Sequence, residues 1–195
     1  ICGGGAAGLL LANALSNDTA FTHLRIAIIE KEKKNINDRT WCYWEEGAGK
    51  WDEIVSNTWG KAVFKADGYL SEFDLAPYKY KMIKGIDFYQ KLYPQLKKNK
   101  NLHFLQEEIE DIISSRENCI VRTTSTTYSA SQVFSSIPTT AYKNQIRFPV
   151  LQQHFIGWIV KTKVPIFDPQ SVIFMDFEVP QKNKTRFMYV LPFSK

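Results

Sequence analysis

Residues 1–15, ICGGGAAGLLLANAL, decide the fold. Gly3, Gly5 and Gly8 have the spacing Gly-x-Gly-x-x-Gly, which in dinucleotide-binding proteins turns the chain from a buried parallel strand into a helix. At Gly3 the missing side chain allows the tight turn, at Gly5 the close approach of a diphosphate, and at Gly8 the packing of helix on strand. Exposed N–H groups and the positive end of the helix then attract phosphate. Only Ile1 and Cys2 precede the loop, where a full strand is usual, so the chain is expected to be a piece of a longer protein. Outward from the loop, AAGLLLANALSN predicts a helix. RIAIIEKE predicts a second parallel strand ending at Glu30, placed to accept hydrogen bonds from a ribose diol. A glycine-rich turn without a ligand would explain the glycines but not Glu30.

Composition narrows the class without choosing a function. With 195 residues, 44% hydrophobic and 14% aromatic, the chain can bury a core and is globular. No apolar run reaches the roughly 18 residues needed to cross a bilayer. Cys2, Cys42 and Cys119 are odd in number and far apart, which argues against a disulfide framework or zinc site and for a reducing compartment. His23, His103 and His154 are equally scattered, so no metal site is expected. The net charge of +5 could serve RNA or anionic lipid. Its lysines cluster as Lys31, Lys33 and Lys34 and as Lys97, Lys98 and Lys100, each after an apolar run, which favours a solvated surface.

Beyond Glu30, NDRTWCYWEEGAGKW (residues 37–51) crowds three tryptophans and a tyrosine into eleven residues. Either the rings fill a domain interface, or they line a pocket with Arg39 or Thr40 turned toward a cofactor. KAVFKADGYLSEF and YKYKM predict strands, with Asp67 and Gly68 as a hairpin turn. IDFYQKLYPQLKKN predicts a helix that Pro94 should kink or end. NLHFLQEEIEDIISS, ENCIVRTTS, TTYSAS and QVFSSI predict a parallel strand, a small antiparallel meander and a return strand, which Ser135, Ser136, Ile137 and Pro138 would close. In the tail, QHFIGWIVKT, SVIFMDFEV and TRFMYVLPFS predict an antiparallel sheet over an apolar ligand. Asp176 interrupts the second of these runs, and its face stays open.

The order GGGAAG, NDRTWCYWE, QHFIGW, FDP, MDF and YVLPFS resembles the lycopene cyclase family of flavoproteins, in particular its single-chain β-cyclases. The resemblance runs from Gly3 to Lys195. The glycine loop is common to many flavoproteins, whereas RTWCYW and the tail pattern are far more specific. One departure is visible, Glu178 standing where relatives commonly carry an arginine after MDF or MDW. The resemblance implies an α/β fold: a Rossmann-like FAD/NAD(P)-binding domain of the two-dinucleotide-fold type (residues 1–40 and 83–140, with the meander). It also implies an antiparallel β substrate domain (residues 41–82 and 141–195), incomplete here.

The same resemblance implies acid-catalysed cyclisation of the ψ-ends of lycopene to β-ionone rings, an isomerisation without net redox. Reduced FAD, kept reduced by NAD(P)H, would stabilise the carbocation. Gly3, Gly5, Gly8, Glu30 and Arg39 are the implied flavin positions, and Asp176 an auxiliary acid, the main proton donor being expected beyond Lys195. Trp158, Phe174, Phe177 and Tyr189 are candidate aromatic stabilisers, or simply core. Expected partners are lycopene or a related carotenoid and a membrane surface, with no nucleic acid, for a cytoplasmic, peripherally membrane-associated protein. Two rivals share features of the chain: another FAD-dependent oxidoreductase of monooxygenase or prenyl reductase type, and a non-enzymatic basic module that binds RNA.

Overall fold

Cys2 leads into the glycine loop bridged in parallel on both sides, to Ile29 and to Ser135. The computed structural model describes residues 1–138 and 143–195. Its elements begin with α1 (Ala6–Asn17), β1 (Ile26–Ile29), β2 (Thr40–Glu46), β3 (Val55–Trp59), β4 (Lys61–Ala66), β5 (Tyr69–Asp74), β6 (Tyr78–Lys84) and α2 (Gly85–Leu96). There follow β7 (Leu102–Leu105), β8 (Ile109–Ser114), β9 (Cys119–Thr123), β10 (Thr127–Ala130), β11 (Ser171–Asp176) and β12 (Met188–Val190). The chain divides into two units, Ile1–Ile36 with Tyr89–Phe155, and Asn37–Phe88 with Ile156–Lys195.

In the first unit β1 pairs in parallel with β7, Ile26 opposite Leu102, and the Ile1–Cys2 stub extends this ladder. The terminal amine of Ile1 donates to the Ala27 carbonyl at 2.7 Å, and Ile29 N–H donates to the Ile1 carbonyl at 2.9 Å. On the other side Cys2 N–H donates to Phe134 at 2.8 Å, and Ser136 N–H donates to Cys2 at 2.9 Å. The expected parallel strand, meander and return segment are all present. β8, β9 and β10 form the antiparallel meander, and its Val121 joins Cys2 and Ile29 in a buried cluster with Tyr128 and Val133 packed against it. The Glu107 carboxylate ties the meander's ends by accepting from the hydroxyls of Thr123, Ser125 and Tyr128. Helix α1 buries Gly8, Leu9, Ala12 and Asn13, one face at helical spacing. Helix α2 runs through Pro94 to Leu96 instead of breaking there. The proline lies in the last turn, where it removes one backbone bond.

In the second unit β2, β6 and β3 form an antiparallel sheet, and β12, β11, β4 and β5 form a mixed one. The β4–β5 hairpin is the expected one: Ala66 faces Tyr69 across Asp67 and Gly68, and Gly68 has φ +69°. The four-stranded sheet corrects the expectation of an antiparallel β domain, since β11 runs parallel to β4 while pairing antiparallel with β12. Parallel neighbours need a long crossover, so their pairing leaves no hairpin signal in the sequence. A second correction concerns QHFIGWIVKT, which forms no strand. No strand among the described residues pairs with it, and backbone groups without a ladder partner stay with water. The core joins the two sheets through Trp59, Ala62, Leu75, Tyr80, Met82 and Val172.

Trp59 is fully buried, and its Nε1–H donates to the Pro192 carbonyl at 2.9 Å. Trp59→Ala is expected to cost about 3–5 kcal/mol in a denaturant melt. Trp59→Phe keeps most of the apolar contact but leaves that carbonyl unpaired, at about 1–3 kcal/mol.

Candidate functional site

The glycine loop has the geometry of an anion cradle. Gly3 has φ +103°, and a side chain there would collide with the Ser136 hydroxyl. A Cβ on Gly8 would collide with the Gly3 carbonyl oxygen, so this glycine sets how closely α1 approaches the loop. Gly5 is different: a Cβ there meets no heavy atom within 4 Å. Gly5 is also the N-cap of α1, no side chain caps the helix, and its first turn carries no acid. The free amides and the helix dipole therefore point into open space beside a residue without a side chain, which suits a diphosphate.

Glu30, at the end of β1, reaches back to this loop. Its Oε2 accepts from Gly4 N–H at 2.7 Å, and its Oε1 accepts from Glu32 N–H at 3.0 Å with Lys34 Nζ at 3.6 Å. The carboxylate thus fixes the loop from the end of β1. Arg39 belongs to the second unit, where its Nη1 donates to the Asp38 carbonyl at 3.3 Å and its own carbonyl accepts from Gly85 N–H at 2.7 Å.

The aromatic stretch after Glu30 is strand β2, and its alternation sends the rings to two faces. Trp41 packs edge-on against Phe88 at 5.3 Å, and Trp51 packs against the same ring. Trp44 instead meets Tyr80 of β6 at 4.5 Å and Phe174 of β11 at 5.6 Å, and Phe174 meets Tyr189 of β12 at 5.9 Å. The Tyr189 hydroxyl donates to the Tyr80 oxygen at 2.7 Å. Burial pushes Tyr189 well above the usual phenol range, and the Tyr80 hydrogen bond adds to this. Burial likewise raises Tyr80 and the Cys42 thiol. Of the aromatic candidates from the sequence, Phe174 and Tyr189 are brought together. Phe177 packs elsewhere, on Phe64 and Phe187, and Trp158 is 80% exposed and no part of a core. Trp44 belongs to the stretch expected to line a pocket or fill an interface, whereas Tyr80 lies outside the expected candidates, although the period-two alternation of YKYKM puts it on one face.

Asp176 ends β11. A register shift between Ile173 and Met175 turns it toward Lys65, 3.8 Å away, and Lys65 lines a cleft of about 450 Å³ with Lys61, Val63 and Ile173. Its Oδ1 also accepts from Glu178 N–H at 3.0 Å. A cation is thus its neighbour across the β4–β11 pair.

The profile of the family described as lycopene cyclase protein matches residues 1–195. The chain belongs to the lycopene cyclase family. No curated protein sequence matches it. Among solved structures, this cyclase-family chain is similar to the halogenase PltM in complex with phloroglucinol and FAD, with 12% identity over 70% of this chain and 33% of that one and a TM-score of 0.51. A second PltM structure, with ethyl mercury and mercury, gives 11% identity, 74% and 36% coverage and a TM-score of 0.52. The p-nitrophenol 4-monooxygenase PnpA from Pseudomonas putida DLL-E4 gives 18% identity, 66% and 36% coverage and a TM-score of 0.47. The chain spans about a third of the length of these structures, and the PltM likeness is one of fold. Among the described residues no cluster of His, Cys, Asp and Glu could hold a metal, and no helix is long and apolar enough to cross a membrane. Glu178, the departure from the family pattern, is exposed beside Asp176.

On the other face of β2 the family chain buries a cation. Lys81 Nζ donates to Asp52 at 2.6 Å, to Glu45 at 2.8 Å and to the Gly47 carbonyl at 3.0 Å. The Asp52 and Glu45 bonds raise Lys81, and the Lys81 bond lowers Asp52. The lysine's contribution to stability is complete below its ordinary value of 10.5 and is lost as pH rises beyond it. That of Asp52 is complete above 3.8 and is lost as pH falls further. Thermal melts of Lys81→Met across this range are expected to show a midpoint lowered by several degrees at neutral pH. The deficit should shrink toward both extremes; a uniform deficit would place the lysine's role in packing alone.

Proposed function

We propose that the protein closes the acyclic ends of lycopene into β-ionone rings, with FAD held at the glycine loop. The carrying observation is the family match along residues 1–195, supported by the open cradle at Gly5. In the reaction a proton from a carboxylic acid adds to the terminal double bond, and the cation takes the electron pair of a nearby double bond to form the ring. Loss of a proton from an adjacent carbon to the conjugate carboxylate restores neutrality, so formula and oxidation state are unchanged.

The amides at Gly5 and in the first turn of α1 would donate to the diphosphate, and Glu30 would accept from a ribose hydroxyl while holding Gly4. Bound FAD, reduced at the expense of NAD(P)H, would supply negative charge near the developing cation. The substrate dissolves in lipid, so the protein would work at a membrane surface. Residues 118–167 support this part of the reading: they contain five basic and no acidic side chains, the whole of the +5 net charge. Within them Ile156, Trp158 and Ile159 are largely exposed. A flavin-dependent halogenase or monooxygenase is the second reading, favoured by the likeness to PltM.

Expression of the full-length protein in lycopene-accumulating cells should yield cyclic carotenes of unchanged molecular mass. Products heavier by oxygen or halogen would favour the second reading. Gly5→Asp puts a carboxylate into the cradle at a position that accepts it, since Gly5 has ordinary φ −79° and aspartate caps helices well. The purified variant should melt no lower than the parent, yet lose FAD binding by more than about tenfold and with it ring formation. A variant that stays yellow would overturn the assignment of the loop.

A further inference from the structure

Lys34 departs from the lysines around it. Lys31 and Lys33 are exposed, whereas the Lys34 side chain is only 11% exposed. Its backbone takes φ +52°, a conformation that lysine rarely adopts and that a solvated charge does not need. The ammonium comes within 3.6 Å of Glu30 Oε1 and lies 5.7 Å from the centre of the buried Tyr89 ring. Tyr89 packs edge-on against Tyr93, whose hydroxyl comes within 3.0 Å of the place a Gly4 Cβ would take. All of these residues belong to the first unit. A lysine ordered in this way gives up rotamer freedom and hydration that its exposed neighbours keep.

The electrostatics of the glycine loop supply a reason. Glu30 Oε2 accepts from Gly4 N–H, so a carboxylate stands at the edge of the cradle and occupies one of its amides. A diphosphate brings further negative charge to the same cradle, and like charges a few ångströms apart repel. Residues 1–24 contain no lysine or arginine, so the loop and α1 have no basic side chain with which to offset Glu30. Lys34 supplies one from the turn after β1. With the Glu30 side chain 15% exposed and that of Lys34 11%, water and salt screen the pair poorly. Lys34 also completes a two-point hold on the carboxylate, Gly4 N–H binding Oε2 while the ammonium and Glu32 N–H stand at Oε1.

We propose that Lys34 is a positioning residue of the nucleotide site. It neutralises Glu30 and holds its carboxylate, so that a diphosphate can settle on the amides beside it and a ribose hydroxyl can donate to it. This rests on reading the glycine loop as the FAD site, and it takes Lys34 out of the solvated lysine cluster expected from the sequence.

The test dilutes the full-length protein, loaded with FAD, and reads the Kd from the fluorescence of released flavin. Lys34→Asn removes the charge with a residue that suits positive φ, and Lys34→Met removes it with one of similar length; each should raise the Kd about tenfold or more. Glu30→Gln keeps an acceptor for Gly4 N–H and removes the charge that Lys34 offsets. On that background, adding Lys34→Asn should change the Kd by about threefold or less. Equal losses from Lys34→Asn with and without Glu30→Gln would mean that the lysine acts independently of Glu30, and would overturn the proposal. So would a Lys34→Asn protein that holds FAD as the parent does, since a loss confined to Lys34→Met would trace to the backbone of the turn. In each of these cases the parent still binds FAD, and the reading of the loop survives. A full-length parent that takes up no FAD would overturn that reading, and the role of Lys34 with it.

Discussion

The backbone of Cys2 is the hinge pin of the first unit. Its N–H and carbonyl are taken by Phe134 and Ser136 on one side, while Ile1 and Gly3 bond β1 on the other. Those bonds fix the direction in which the chain leaves at Gly3, and hence where the open amides at Gly5 point. The return segment arrives from far along the sequence, and it is held by the meander, whose Val121 is buried with Cys2 and Ile29. Loop geometry is therefore a tertiary property. The glycines permit the turn, but the sheet and the meander core aim it.

Local chemistry made much of this legible. The α1 boundaries, the β-branched β1 and the Asp67–Gly68 hairpin follow from propensity and turn preference, which act over a few residues. What stayed hidden depends on distant partners. The parallel pairing of β4 with β11 has no local signature, and QHFIGWIVKT has the composition of a strand but pairs with no strand among the described residues. At Pro94 the missing N–H costs one backbone bond to the preceding turn, and the helix ends two residues later at Leu96.

At the candidate site the same divide holds. Spacing marks Gly3 and Gly8 as positions without room for a side chain, and a Cβ at either would collide with a neighbour, whereas one at Gly5 would meet nothing within 4 Å. The face of Asp176 could not be assigned, because one register shift reverses the alternation that would have predicted it. The aromatic stretch was visible as composition, but its division between Trp41 on Phe88 and Trp44 on Tyr80 emerges only when period-two alternation is combined with the neighbouring strands.

The pairing of β4 with β11 also has a temporal side. About a hundred residues separate Ala66 from Ser171, and they include most of the first unit. During synthesis the β4–β5 hairpin leaves the ribosome long before its neighbour exists, so β4 spends that interval as a bare edge with Val63 and Phe64 uncovered. Biogenesis of this fold thus favours slow, late closure and a chaperone's cover, and crowded expression would penalise it through aggregation well before any defect in chemistry could be observed.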